Sequence, residues 1–279
     1  MVVCGVLLAV GIVLAIMWNG ERFTPPVVRH EHGGVETMRH RDGLRLYVWW
    51  ASVYTVAGMA TWILIVGAGG RLAMRLLAIT SPDATNKITE AGEVVGEITV
   101  GGTIAYFIFG AFMPALLAAL LYLAVEPWLP RGRLGGPAYG ALLLIVLAPL
   151  VDPLRSENLD FTIVGPGWMS VVVFSAMVIL EGTALASIAG RVSRSLPLMS
   201  RNNLGRTAPP LVPAVVVFPF GLALLAVAFV TLAFPRLLPW VLALRASRWG
   251  VIVGRSVLAL AVILAAPTFV RTAVSIWTA

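Results

Sequence analysis

Seven continuously apolar runs, separated by short arginine-bearing connections, organise this chain: 2 to 18, 46 to 70, 98 to 125, 134 to 151, 167 to 190, 211 to 234 and 249 to 270. A helix needs about 20 apolar residues to cross a hydrocarbon layer of roughly 30 Å, and only the first and fourth runs are short. The runs are unbroken rather than alternating, so they predict helices; a barrel would show alternating segments of about ten residues. Trp18, Trp49, Trp50, Trp128, Trp168 and Trp249 fall near the predicted ends, as an interfacial aromatic belt requires. The expected fold is therefore all-α: a polytopic transmembrane helical bundle of about seven spans, one domain over residues 1 to 279. The run Leu237 to Leu244, flanked by Pro235, Arg236 and Arg245, is too short to span and is expected to be interfacial or re-entrant.

Composition agrees with lipid as the solvent. Hydrophobic residues make up 59% and charged residues 12% of the chain, with a mean hydropathy of +0.93, far from the balance of a soluble domain. The net charge is +7, and Lys87 is the only lysine. The arginines sit between apolar runs, so they read as topology determinants and headgroup contacts, which argues against a nucleic-acid partner. The connections 19 to 45, 126 to 133 and 191 to 210 with the C-terminal tail carry more Arg and Lys than 71 to 97, 152 to 166 and 235 to 248. By the positive-inside rule the first set is cytoplasmic, with the N-terminus outside and the C-terminus inside. The expected location is a cell membrane, that of a bacterial plasma membrane. The first run lacks a basic leader and a small-residue cleavage pattern, so it is expected to be an uncleaved helix.

Chemistry is sparse. Cys4 is alone, which excludes an intrachain disulfide and a CxxC pair. His30, His32 and His40 all fall in the first connection, beside Pro25-Pro26 and Gly33-Gly34, and read as a solvated loop. The motifs HExxH, GxSxG and GxxxxGK[ST] are absent. Neither a metal nor a cofactor is expected.

Three groups of residues stand out. In the segment Gly69 to Thr103, Arg71 and Arg75 would share one helical face, while Glu90, Glu93 and Glu97 would share an arc of the next helix. These stripes are expected either to pair with each other or to form an outer vestibule for cations. The run Gly-Gly-Arg-Leu-Ala-Met-Arg, its polar turn and its Gly-Thr helix start resemble a family of multi-pass bacterial membrane proteins to which no activity is attached. That resemblance covers about an eighth of the chain and implies only a membrane protein.

Glu181 and Arg255 are charges inside predicted spans. A carboxylate there costs roughly 2.5 kcal/mol or more on insertion scales, so it should face protein, pair, or be protonated. Glu181 is expected near the inner end of its span, as a proton or cation relay or as a clamp to Arg194. Arg255 is expected near the outer end, with Asp152 or Glu97 as partner. Gly182, Ala186 and Gly190 recur every four residues, which suits close helix packing. Pro114, Pro149, Pro213, Pro219 and Pro267 are expected to bend helices.

Two functions follow from these features. One is a non-enzymatic membrane protein acting through helix contacts with a membrane partner or a second copy; the other is a small-solute or ion transporter with Glu181 as a titrating carboxylate. A membrane-embedded enzyme is a third and weaker reading, and membrane lipids are the partners in all three.

Overall fold

The computed structural model describes residues 1–21, 23–26, 40–151, 154–155, 158, 160–199, 205, 211 and 220–278. His30, His32, Asp152, Pro213, Pro219 and the side chain of His40 lie outside this set. Among the described residues the regular structure is helical, with one isolated antiparallel bridge between Ile88 and Val94. The helices are α1 (Val2–Ile16), α2 (Asp42–Ile79), α3 (Val100–Trp128), α4 (Gly135–Val146), α5 (Gly167–Ser195), α6 (Phe220–Ala233), α7 (Leu237–Ala246) and α8 (Arg248–Trp277). Four of them, α2, α3, α5 and α8, are long and apolar enough to cross a membrane; α6 with α7 makes a fifth if that pair, bent by 97°, counts as one span. The other two apolar helices are shorter, α1 at about 22 Å and α4 at about 18 Å for 1.5 Å of rise per residue.

Local chemistry sets the helix ends. The second helix runs past the expected limit at 70 to Ile79, where the hydroxyls of Thr80 and Ser81 bond the Leu76 and Leu77 carbonyls and Pro82 prevents continuation. The third begins only at Val100, with Thr99 Oγ1 accepting from the Gly102 N–H at 3.0 Å. Glu90, Glu93 and Glu97 therefore lie in an irregular turn instead of on the expected helical arc. The fourth stops at Val146, short of the expected 151; Pro149 has no N–H to donate to the regular ladder, and turns closed on the Leu147 carbonyl carry the chain to Val151.

Close packing centres on α4 and α5. A Cβ added to Gly182 would sit 2.4 Å from the Gly140 nitrogen, one on Gly140 would sit 2.6 Å from Ile179 Cα, and one on Gly136 would sit 2.8 Å from Thr183 Cα. Small residues on both helices let the two backbones touch, as membrane helix pairs require. Buried polar tips find backbone acceptors across the bundle: Trp49 Nε1 donates to the Leu196 carbonyl at 2.9 Å and Tyr139 to the Ala118 carbonyl at 2.5 Å.

One end of the bundle gathers the arginines. Arg194 pairs with Glu21 at 2.5 Å, with Arg191 behind at 3.7 Å, and Arg133 donates to Asn19 at 2.7 Å. Arg245 of α7 donates to the Leu123 and Ala124 carbonyls at the end of α3, and its guanidinium lies 5.3 Å over the Trp50 ring. This corrects the expected alternation: the 235 to 248 connection sits beside the 126 to 133 connection, because Arg245 satisfies carbonyls that the end of α3 leaves open. Consequently α8 runs back toward the other end, where an added Cβ on Gly167 would strike the Ile276 carbonyl. Only 6% of the apolar window of α8 is buried, against 44% or more in α2, α3 and α5, so α8 presents most of its surface outward.

Candidate functional site

Two adjacent π-helical turns shape the interior: Trp62–Gly67 in α2 and Tyr106–Ala111 in α3. A π turn displaces carbonyls from the regular ladder, and here each helix supplies the donor for the other. Trp62 Nε1 donates to the Phe107 carbonyl at 2.6 Å, and the Tyr106 hydroxyl donates to the Val66 carbonyl at 3.0 Å. An added Cβ on Gly70 would meet the Tyr106 hydroxyl at 1.9 Å, so only glycine leaves that phenol its place.

Beside these turns lies a cavity of about 690 Å³ between α2, α3, α4 and α5. Its lining includes Glu181, Arg71, Arg75, Glu93 and Glu97. Charges far apart in the chain thus converge on one space.

Glu181 stands halfway along α5, not near one end as expected, and is 8% exposed. Its Oε1 has no hydrogen-bond partner among the described residues. The expected clamp to Arg194 does not form, since Arg194 lies between three and four turns beyond Glu181 on α5 and pairs with Glu21. Arg255 is elsewhere too: its Nε donates to the Trp128 carbonyl at 3.2 Å, at the arginine-rich end, which replaces the expected partnership with Glu97.

Toward the opposite end the cavity becomes polar. An added Cβ on Gly69 would lie 1.9 Å from Met177 Cε, which puts those residues at one level of the antiparallel helices α2 and α5. Counting from that level, Arg71 is about 9 Å and Arg75 about 15 Å of helical rise from Glu181. Arg71 donates to Thr103 at 2.9 Å and Arg75 to the Gly96 carbonyl at 3.1 Å. Neither forms an ion pair with Glu90, Glu93 or Glu97 among the described residues, so the expected pairing of the stripes is not what holds this hairpin. Glu90 instead pairs with Arg155 at 2.7 Å, while its backbone N–H donates to Asp160 at 2.8 Å. The Glu93 carboxylate lies over Gly102 at the first turn of α3, where the helix dipole favours negative charge.

The glycine stripe of α5 is used inside the chain. Gly182 and Ala186 face Gly140 and Gly136, and Gly190 faces the Glu21 carbonyl. Sequence reasoning missed Glu21, Tyr106 and both π turns. Glu21 had no local signal, because its partners lie about 170 residues away; the only trace of the π turns is an aromatic residue followed by a glycine four or five residues later, in Trp62 to Gly67 and Tyr106 to Gly110.

Comparisons with family models, curated proteins and solved structures find no match. Among the described residues no group of three or more His, Cys, Asp or Glu could hold a metal ion. What the arrangement offers is a mostly apolar chamber with one acidic group at its floor and a charged mouth.

Proposed function

We propose that this chain is a polytopic protein of the cell membrane, a bacterial plasma membrane, that carries a small solute through the bundle, with Glu181 as the titrating carboxylate. The observation that supports this reading is the buried Glu181 carboxyl, whose Oε1 has no hydrogen-bond partner among the described residues, on the lining of a cavity with a charged mouth. A structural clamp would have brought a partner to that oxygen. The competing reading, a scaffold that docks through Gly182, Ala186 and Gly190, is weakened because the chain's own helices already occupy that stripe.

The grouping of helix ends favours six crossings instead of seven: α1 to α5 and α8 cross, and the bent pair α6 and α7 stays at the arginine-rich end. Placing Arg133, Arg194, Arg236, Arg245 and Arg248 on one side strengthens the positive-inside bias, so that end is cytoplasmic, and the start of α1 and the end of α8 both face outward. The mouth of the cavity then opens outward. Arg155, on the outer side, is anchored by its pair with Glu90.

The test is proton movement in proteoliposomes loaded with a pH-sensitive dye and challenged with organic cations, zwitterions and anions in turn. At least one class should drive a proton flux that protein-free vesicles lack and that Glu181→Gln abolishes. If the protein gives no flux above empty vesicles with any class, or if Glu181→Gln leaves the flux intact, the proposal fails.

A further inference from the structure

The composition of the cavity narrows its ligand. Around Glu181 the walls are Ile65, Tyr106, Leu143, Phe174, Met177 and Val178. A sugar or other polyhydroxylated solute would leave hydroxyls unpaired against such walls, at a cost of roughly 1–3 kcal/mol each. A hard divalent cation is equally ill served, since Mg²⁺ and Ca²⁺ take six or more oxygen ligands and the floor supplies one carboxyl. Aromatic faces and thioether sulfur, by contrast, accommodate a diffuse organic cation. The volume of about 690 Å³ falls in the range of sites for drug-sized molecules, roughly 300–1,000 Å³.

Charge points the same way. At the mouth, Glu93, Glu97 and Asp160 face Arg71 and Arg75, whose guanidiniums are engaged with Thr103 and the Gly96 carbonyl. Three carboxylates stand against two guanidiniums there, so the side chains at the mouth carry no positive excess that would repel a cation. The ionisable groups facing Glu181 from neighbouring helices are the phenols of Tyr106 on α3 and Tyr139 on α4, with Arg71 of α2 beyond Tyr106. Both phenols are engaged as donors to backbone carbonyls.

We propose that the cavity binds a lipophilic organic monocation, its charged centre against the Glu181 carboxylate and its apolar body against the Ile65, Leu143, Phe174 and Met177 walls. This rests on the transport reading above and names its substrate class. Proton and cation occupy the same single carboxyl, so they exclude each other. Binding to the protonated form breaks the carboxyl O–H bond and releases one proton per cation, and the exchange is electrically neutral.

The probe is radiolabelled tetraphenylphosphonium, set against tetraphenylborate, an anion of the same shape, with the full chain in detergent. The wild-type protein should bind about one phosphonium per chain, displaced by unlabelled phosphonium and not by the borate, and release about one proton per cation into weakly buffered solution. Glu181→Gln should weaken binding at least about tenfold, about 1.4 kcal/mol, while keeping the wild-type unfolding transition; Glu181→Asp should fall between. Equal binding by Glu181→Gln, or equal competition by the borate, overturns the proposal. If the wild type binds no phosphonium while a zwitterion or anion drives Glu181-dependent flux in vesicles, the substrate class is wrong and transport stands. If phosphonium binds as described but no solute moves protons, the cation site stands and transport falls.

Discussion

Replacing Gly182 with alanine puts one methyl group into the tightest contact between α4 and α5. The new Cβ would lie 2.4 Å from the Gly140 nitrogen, 2.6 Å from its Cα and 3.0 Å from the Gly136 carbonyl. All three are backbone atoms, so no side-chain rotation relieves the clash, and the helices must separate by about 1 Å to reach ordinary contact. A gap of that size forfeits a quarter to a half of each van der Waals well along the seam, and overpacking of this kind costs about 1–3 kcal/mol. Alanine also improves intrinsic helix propensity by up to about 1 kcal/mol, so the proper reference is Gly5→Ala on α1, where the added Cβ meets nothing within 4 Å. The difference between the two variants isolates the contact, and it should be about 1–3 kcal/mol, or roughly 5- to 150-fold in the folding equilibrium. Unfolding of the purified protein by sodium dodecyl sulfate, followed by far-UV circular dichroism, measures it. A difference under about 0.5 kcal/mol would show that the backbones do not touch as described.

Other outcomes can be checked with the same preparation. Trp62→Phe removes the bond to the Phe107 carbonyl and should lower stability by about 0.5–1.5 kcal/mol, the range of interhelical hydrogen bonds in membranes; no change would remove the cross-bracing of the π turns. Thr99→Ala should cost about 0.5–2 kcal/mol through loss of the α3 N-cap, with Thr99→Ser retaining wild-type stability. Glu21→Gln breaks a pair whose members are a quarter to a half exposed, so the loss should stay under about 1 kcal/mol and shrink as salt is raised. In a Cys4→Ser background, single cysteines at Arg133 and Ser247 should react with an impermeant maleimide only from the cytoplasmic face, and those at Ser81 and Thr278 only from the outer face. Labelling of Ser247 and Arg133 from opposite faces would restore seven crossings.

The helical class and the membrane setting were legible because lipid imposes a long apolar run on every spanning helix, and the long helices α2, α3, α5 and α8 follow those runs. The grouping of the ends was not legible. Charge counting assumes that each apolar run is one straight element, and α6 with α7 is instead bent by 97° at Phe234 to Arg236. Glu181 and Arg71 could each be picked out by the cost of their charge or by their spacing. Their meeting in one cavity depends on which face each helix turns inward, and the π turns alter that face without any change in hydropathy. The helical arc of Glu90, Glu93 and Glu97 failed for a different reason: Thr99 is the stronger local signal, and it starts the helix after them.

Each π turn also stores one surplus residue, and helical phase is cumulative. Everything downstream of Trp62–Gly67 on α2 is rotated by about 100° from where an unbroken α-helix would carry it, since 3.6 residues complete a revolution. The orientation of the Arg71 and Arg75 guanidiniums is therefore set by a residue that neither touches them nor carries a charge. Excising the surplus amino acid, such as Ile63, would regularise the helix and still deliver both cations to the chamber, whereas forcing the same turn into α geometry with no residue removed would swing them out of it like spokes on a turned shaft.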